Sequence, residues 1–113
     1  MNQIPEITRS LYQPETDINY TLLSGENALH IASTCNYIEL AELLIYHQIN
    51  INKQDIFGKT PLMRASLSGN IEIVKILLNQ SNIAINEQDR YGNTAAILGL
   101  LQTKIFIKHF TTL

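Results

Sequence analysis

The sequence predicts an all-α protein, a solenoid of stacked helix-turn-helix units, and two observations support this. The first is a repeat: the segment that begins at Gly58, Gly-Lys-Thr-Pro-Leu-Met-Arg-Ala, is echoed at Gly25 and at Gly92, 33 residues before it and 34 after it. The second is the helical spacing of apolar residues within each unit. A unit of this length cannot bury its apolar face alone, so neighbouring units must stack.

The second unit carries the clearest helix boundaries. Thr60 supplies an N-cap oxygen directly before Pro61, which suits the first helical position because no N–H is needed there. This helix is expected to reach about Ser68, where Gly69 stops it. A second helix is predicted over 71–79, and four apolar side chains keep helical spacing within it: Ile73, Val74, Leu77 and Leu78.

The first unit repeats this plan, with Asn27 as the N-cap residue. One helix is predicted from Ala28 to about Cys35 and another over 38–46, with a turn at Asn36 between them. The buried face of the second helix is expected to carry Leu40, Ala41, Leu44 and Ile45.

The segments between helix pairs contain an aspartate followed three residues later by a glycine, at Asp55 with Gly58 and at Asp89 with Gly92. This spacing is a turn signature. We therefore expect a tight turn to link each pair of helices to the next.

The two ends of the chain depart from the repeat. Residues 1–17 are expected to form a capping helix of half a unit, since Pro5 can begin a helix and Pro14 prevents its extension. The repeat domain then covers 18–113, with units at about 22–54, 55–88 and 89–113. The last unit has no glycine at its inner turn, and its final helix carries three apolar side chains: Phe106, Ile107 and Phe110.

Composition narrows the classes of function. A chain of 113 residues holds one domain, and its net charge of −2 gives no positive field for nucleic acid. The apolar runs are too short for a membrane span, and the polar N-terminus does not fit a secretory signal. The single Cys35 favours an intracellular, cytoplasmic setting. Frequent Ile and Asn are loosely associated with AT-rich intracellular bacteria and protists, which leaves export into a host cell open.

The middle unit carries a resemblance to a known family. Gly-x-Thr-Pro-Leu is followed by Ala, by Ser-Gly-Asn-Ile-Glu-Ile-Val-Lys-Ile-Leu-Leu and by Ile-Asn-x-x-Asp. Over about residues 18–110 the chain thus resembles the ankyrin repeat. The resemblance implies helix pairs stacked in register, finger-like β-turns that project from them, and a concave face. It also implies a binding scaffold without enzymatic activity.

The resemblance further implies which residues contact partners: those at the finger tips and on the exposed side of the first helix of each pair. Phe57 and Tyr91 stand out because aromatic residues are favoured as interface anchors. The alternative is that the two rings pack against each other or against a neighbouring finger. Transferred by position, the candidates are Leu23, Ser24, Glu26, Thr34, Cys35, Ile56, Phe57, Lys59, Leu67, Ser68, Arg90, Tyr91, Asn93, Leu101 and Gln102.

The sequence predicts no catalytic centre, metal site or cofactor. The histidine that the family carries after Thr-Pro-Leu is present as His30, whereas Met63 and Ile97 occupy the equivalent positions; we interpret His30 as a structural hydrogen-bonding residue. Cys35 is interpreted as a packed thiol, because no positioned base accompanies it. The histidines and Cys35 lack metal-ligand spacing.

Two asparagines, Asn52 and Asn86, occupy the finger base, where a side-chain amide can satisfy turn backbone groups. Some family members are hydroxylated at this position; no feature of this sequence indicates that modification.

Three functions remain open at this stage. The leading hypothesis is a module that binds another protein through the concave finger and inner-helix surface, as adaptor, inhibitor or recruiter. The second is a structural or self-associating repeat segment that hides Phe106, Ile107 and Phe110. The third is an enzyme that uses Cys35 or His30, although the sequence contains no recognised catalytic motif.

Overall fold

The computed structural model describes residues 17–101, which contain four complete helices and the beginning of a fifth. In chain order the complete helices are α1 (Ala28–Cys35), α2 (Ile38–Tyr46), α3 (Pro61–Ser68) and α4 (Ile71–Leu78). Helix α5 begins at Ala95 and continues through Leu101, the last described residue. The capping helix expected before Asp17 and the candidate residues Gln102, Phe106, Ile107 and Phe110 lie outside the described part.

The predicted helix bounds are confirmed to within one residue, and local capping explains them. Thr60 accepts a hydrogen bond from the backbone N–H of Met63 at 3.2 Å, directly before Pro61. Gly69 ends α3 in the left-handed conformation, with φ of 71°. At the first inter-helix turn, Asn36 takes the same left-handed conformation after α1.

The helices stack as two parallel rows. Helix α1 packs against α2 within the first unit and against α3 in the second, and α4 packs against α3 and against α2. The core runs between the rows and continues to α5. Its buried apolar residues are Leu29, Ala32, Leu40, Ala41, Leu44, Ile49, Ile51, Leu62, Met63, Ala65, Ile73, Leu77, Ala95 and Leu98.

Burial corrects the sequence reading at three positions. Leu78 was grouped with the apolar face of α4, but it lies in the last turn and is 51% exposed. Ile45 and Val74 are only partly buried against the core. The helical period is right, but these short helices end before the whole apolar stripe can be covered by a neighbour.

The turns that precede α1, α3 and α5 form a row of three fingers, centred on 22–26, 55–59 and 89–93. Each is closed by a backbone hydrogen bond from its glycine; the N–H of Gly58, for example, donates to the carbonyl of Asp55 at 2.8 Å. Adjacent fingers are joined as well. The N–H of Ile56 donates to the carbonyl of Ser24 at 3.0 Å, and that of Arg90 to the carbonyl of Phe57 at 2.8 Å. The fingers therefore hold one another in position.

Candidate functional site

The finger tips present large apolar side chains to solvent. Leu23 is fully exposed, Tyr91 is 76% exposed, and Ile56 and Phe57 are 56% and 42% exposed. Within residues 17–101 the recorded ring–ring contact joins Tyr46 and His47, so Phe57 and Tyr91 do not stack on each other. A row of unpaired apolar groups on fixed turns resembles an interface surface more than a solvated one.

Two buried carboxylates give the second and third fingers their shape. One oxygen of Asp55 accepts the backbone N–H groups of Phe57 and Lys59, each at 2.9 Å. Asp89 accepts those of Tyr91 and Asn93 in the same way, also at 2.9 Å. An aspartate that bonds the backbone two and four residues ahead fixes a turn without help from the rest of the chain.

A cationic side chain pairs with the second oxygen of each carboxylate. The ammonium of Lys59 lies 2.8 Å from Oδ2 of Asp89 in the next finger. Arg64 donates to Oδ2 of Asp55 and also lies 3.7 Å from the carboxylate of Glu26 in the preceding finger. These pairs neutralise the buried anions of the second and third fingers.

The pKa values of both aspartates follow from these contacts. For Asp89, burial alone would raise the pKa, but the bond from Lys59 and the two backbone N–H groups outweigh it and lower the pKa to about 2. For Asp55, burial is likewise outweighed by Arg64 and by the N–H groups of Lys59 and Phe57, which lower the pKa below its usual value. Both groups are carboxylates at neutral pH.

His30 joins the first unit to the second. The structure confirms its interpretation as a structural hydrogen-bonding residue. Its Nδ1 accepts the N–H of Asn27 at 3.0 Å, and its Nε2 lies 2.8 Å from the carbonyl of Lys59. The neutral ring with the proton on Nε2 satisfies both contacts. Burial lowers the pKa of this imidazole below 6.5, against opposing contributions from the Lys59 carbonyl and nearby carboxylates.

Asparagine side chains make three further links, one within the first unit and two between the first and second units. Asn27 donates to the carbonyl of Asn50 at 3.0 Å, and Asn70 donates to that of Ser33, at the end of α1, at 2.6 Å. Asn52 donates to the carbonyl of Asn82 and accepts the N–H of Ala84. The expectation that an asparagine at the finger base satisfies backbone groups is therefore confirmed for Asn52.

The structure places the predicted contact residues in two groups. Those with exposed side chains are Leu23, Thr34, Cys35, Ile56, Phe57, Ser68, Arg90, Tyr91 and Leu101. Those partly buried are Ser24, Glu26, Lys59, Leu67 and Asn93. Within the second group, Lys59 forms a salt bridge with Asp89, and Leu67 packs against the core.

The sequence reading did not identify Arg64, Asp55 and Asp89 as the electrostatic support of the fingers. A signal was available: Lys59 and Asp89 are 30 residues apart, close to one repeat, so stacking brings opposite charges to the same junction. The pairing depends on the direction of stacking, which the sequence pattern leaves open.

The structure also places the residues that were considered for a catalytic or metal centre within the described part of the chain. Between residues 17 and 101 no three His, Cys, Asp or Glu side chains form a group able to hold a metal ion. His30 is occupied in structural hydrogen bonds, and Cys35 is a free, exposed cysteine, which corrects its interpretation as a packed thiol. No helix in this part of the chain is long and apolar enough to cross a membrane.

Stacked helix pairs, finger-like turns and the bridges between them define a helical-repeat scaffold. A family model described as ankyrin repeats, in three copies, matches residues 1–89 and 50–104. The chain belongs to the ankyrin-repeat family. Ankyrin repeats generally serve as protein–protein interaction modules, and the family is typically non-catalytic.

Several curated relatives share this segment. The chain is 30% identical over 91 residues to the probable 26S proteasome regulatory subunit p28 of Saccharomyces cerevisiae. These aligned residues cover 79% of this chain and 40% of the yeast protein. It is 38% identical over 74 residues to ankyrin repeat and SAM domain-containing protein 6 of Mus musculus, covering 62% of this chain and 8% of the mouse protein. A third relative is glycerophosphocholine phosphodiesterase GDE1 of Candida albicans, 38% identical over 77 residues, which cover 65% of this chain and 7% of that protein. The chain therefore spans well under half the length of these relatives.

Proposed function

We propose that this chain is a non-catalytic module that binds another protein through its concave finger and inner-helix surface, as adaptor, inhibitor or recruiter. The observation that carries the proposal is the row of exposed apolar tips at Leu23, Ile56, Phe57 and Tyr91. Fixing these side chains on bonded turns reduces the entropy that is lost when a partner binds.

The inner-helix side of the surface is expected to add polar contacts. Thr34, Cys35 and Ser68 are exposed at the ends of α1 and α3. Because Asp55 and Asp89 are paired internally, we expect partner binding to depend more on apolar contact than on salt. An intracellular location suits the free Cys35 and is part of the same proposal.

A quantitative pull-down tests the proposal. The wild-type chain and a Phe57→Ala, Tyr91→Ala double variant are immobilised and compared in cell lysate, with circular dichroism as the check on folding. Each anchor is expected to contribute about 2 kcal/mol to binding, so the double variant should lose partners that the wild type retains. The matched control is Ile71→Ala on α4, a residue that is 65% exposed but lies away from the fingers. Identical capture by all three folded proteins would contradict the proposal.

A second candidate function is self-association at the C-terminal end. In α5, Ile97, Leu100 and Leu101 are 42%, 56% and 46% exposed. Met63, the counterpart of Ile97 in the second unit, is 1% exposed and belongs to the core. Sedimentation of the purified chain distinguishes the two functions: a dimer that Leu100→Glu converts to a monomer favours self-association, and a wild-type monomer at all concentrations opposes it.

A further inference from the structure

The residue that ends the finger differs in charge between the first two units. It is Glu26 in the first finger and Lys59 in the second. The backbone shows that the two positions are equivalent: the carbonyl of Glu26 accepts the N–H of Leu22, and that of Lys59 accepts the N–H of Asp55, both at 2.9 Å. Both side chains extend towards the next unit, so the two junctions between fingers contain different charges.

The junction between the second and third fingers is electrically balanced. Lys59 supplies the cation and Asp89 the anion, and their charged atoms lie 2.8 Å apart. The side chain of Lys59 is 14% exposed, and that of Asp89 has no exposed surface. One positive and one negative charge therefore cancel, and little of either reaches solvent.

The junction between the first and second fingers has an excess of negative charge. Here the first finger supplies a carboxylate, Glu26, and the cation comes from helix α3, as Arg64. Nη2 of this guanidinium donates to Asp55 but lies 3.7 Å from Oε1 of Glu26, which is too long for a hydrogen bond. Two carboxylates and one guanidinium leave one negative charge unbalanced.

That charge is located on Glu26, the carboxylate that solvent reaches. The side chain of Glu26 is 29% exposed, whereas that of Asp55 has no exposed surface. Asp55 bonds the guanidinium directly and also accepts two backbone N–H groups, so the position of Arg64 does not depend on Glu26. Within residues 17–101, Glu26 is thus a partly exposed carboxylate without a hydrogen-bonded cation.

This carboxylate is close to the apolar tips that are proposed to contact the partner. Leu23, which is fully exposed, lies three residues before it in the same finger. Ile56 belongs to the adjacent finger, and its N–H donates to the carbonyl of Ser24 at 3.0 Å. Arginine and lysine match such a surface, because their aliphatic stems cover apolar groups while the charged end reaches a polar one.

We propose that the junction between the first and second fingers binds an arginine or lysine side chain of the protein partner, with Glu26 as the carboxylate that pairs with it. The stem of that side chain lies against Leu23 and Ile56. Charge complementarity selects a cation, and one ionic contact within a mainly apolar surface contributes more to selectivity than to affinity. The inference rests on the proposed function and makes Glu26 a specificity-determining residue.

The test is a selection of random peptides displayed on phage against the wild-type chain, followed by affinity measurements on synthetic copies. Glu26→Gln removes the charge and keeps the shape of the side chain. Glu42→Gln is the matched control, because Glu42 is an exposed carboxylate within α2, outside the fingers. Thermal unfolding of both variants checks that the fold is kept.

The expected result is a set of peptides that carry an arginine or lysine beside apolar residues. Their affinity should fall about fivefold in Glu26→Gln and stay unchanged in Glu42→Gln. High salt should reduce the difference between wild type and Glu26→Gln. Replacing the basic residue of the peptide by glutamine should weaken binding to the wild type but not weaken binding to Glu26→Gln any further.

A charge exchange separates pairing from a structural role. Glu26→Lys copies the residue of the second finger and is expected to fold. Its cation can face Asp55 as Lys59 faces Asp89. This variant should reject the basic peptides and bind versions with glutamate in place of the basic residue, an exchange that a purely structural effect on the fold would not produce.

Three results would overturn the inference. Peptides that are insensitive to Glu26→Gln but lost with the Phe57→Ala, Tyr91→Ala variant leave the proposed function standing and remove this contact. Peptides with an acidic residue that bind Glu26→Gln more tightly than wild type show that Arg64 attracts the partner instead. A selection that returns no peptide counts against the contact, and the lysate pull-down then decides separately on the function.

Discussion

The ammonium of Lys59 lies 2.8 Å from Oδ2 of Asp89, a carboxylate whose side chain has no exposed surface. The two residues belong to successive fingers. The other oxygen of the same carboxylate accepts the N–H groups of Tyr91 and Asn93 within its own turn. A single anion therefore closes one finger and ties that finger to the preceding unit.

Stability should fall in strong acid because of Asp89. Its pKa is about 2 in the folded chain against 3.8 for the free group, so the folded state binds the proton less readily than the unfolded state. The stabilisation is present above pH 3.8 and is lost as the pH falls through 2. Urea unfolding at pH 5 and at pH 2.5 should show this loss in the wild type and a smaller one in Asp89→Asn, whose side chain does not titrate.

Breaking the pair from the cationic side should be costly. Lys59→Met leaves the Asp89 carboxylate buried with its backbone bonds alone, and we expect a loss of about 3 kcal/mol in the free energy of unfolding. The Lys59→Met, Asp89→Asn double variant should recover part of it, because no charge is then left unpaired. A double-mutant cycle measured by urea unfolding at neutral pH should give a coupling of about 1 kcal/mol or more. Additive losses would indicate that the pair contributes no coupling energy.

Mild acid should weaken the junction between the first two units through His30. The pKa of the folded imidazole is below 6.5, so stability is full above pH 6.5 and declines as the pH falls through the folded pKa. In His30→Met, which copies the residue of the second unit, the loss of the bond to the Lys59 carbonyl should cost about 1 kcal/mol at pH 7.5. The test compares urea midpoints at pH 7.5 and pH 5.5: an equal drop in both proteins would mean that other groups titrate.

The two adjacent leucines at the end of α4 should differ sharply. Leu77 has no exposed surface and Leu78 is 51% exposed. Leu77→Ala should cost roughly 2 to 5 kcal/mol through lost burial and the cavity left behind, enough to unfold most of a short repeat array. Leu78→Ala serves as the control and should stay within about 0.5 kcal/mol, as exposed substitutions do. Circular dichroism during thermal unfolding measures both, and a well-folded Leu77→Ala protein would contradict the cavity argument.

Much of the fold could be predicted because its boundaries are set locally. Thr60 and Pro61 fix the start of α3 within two residues of chain, and Gly69 fixes its end through a conformation that other residues rarely adopt. The spacing of the repeat adds the order in which the units stack. The finger turns follow from Asp55 and Asp89, which bond backbone groups at most four residues away.

What could not be predicted depends on how one unit meets the next. His30 and the Lys59 carbonyl are 29 residues apart, and their 2.8 Å contact requires a particular stacking distance and rotation. The same reason explains Leu67, which was expected to face a partner but packs partly against the core. Side-chain exposure at a repeat junction depends on how the units stack, so it cannot be predicted from the sequence of one unit.

Cys35 lies exposed at the end of α1, and the 113-residue sequence holds no other cysteine. A maleimide dye added to the unmodified protein would therefore attach at one known position, beside Thr34 and among the proposed contact residues. Its fluorescence would change when a partner covers that region. The native thiol of Cys35 is thus a single site for labelling, and partner titrations can be followed without introducing another cysteine.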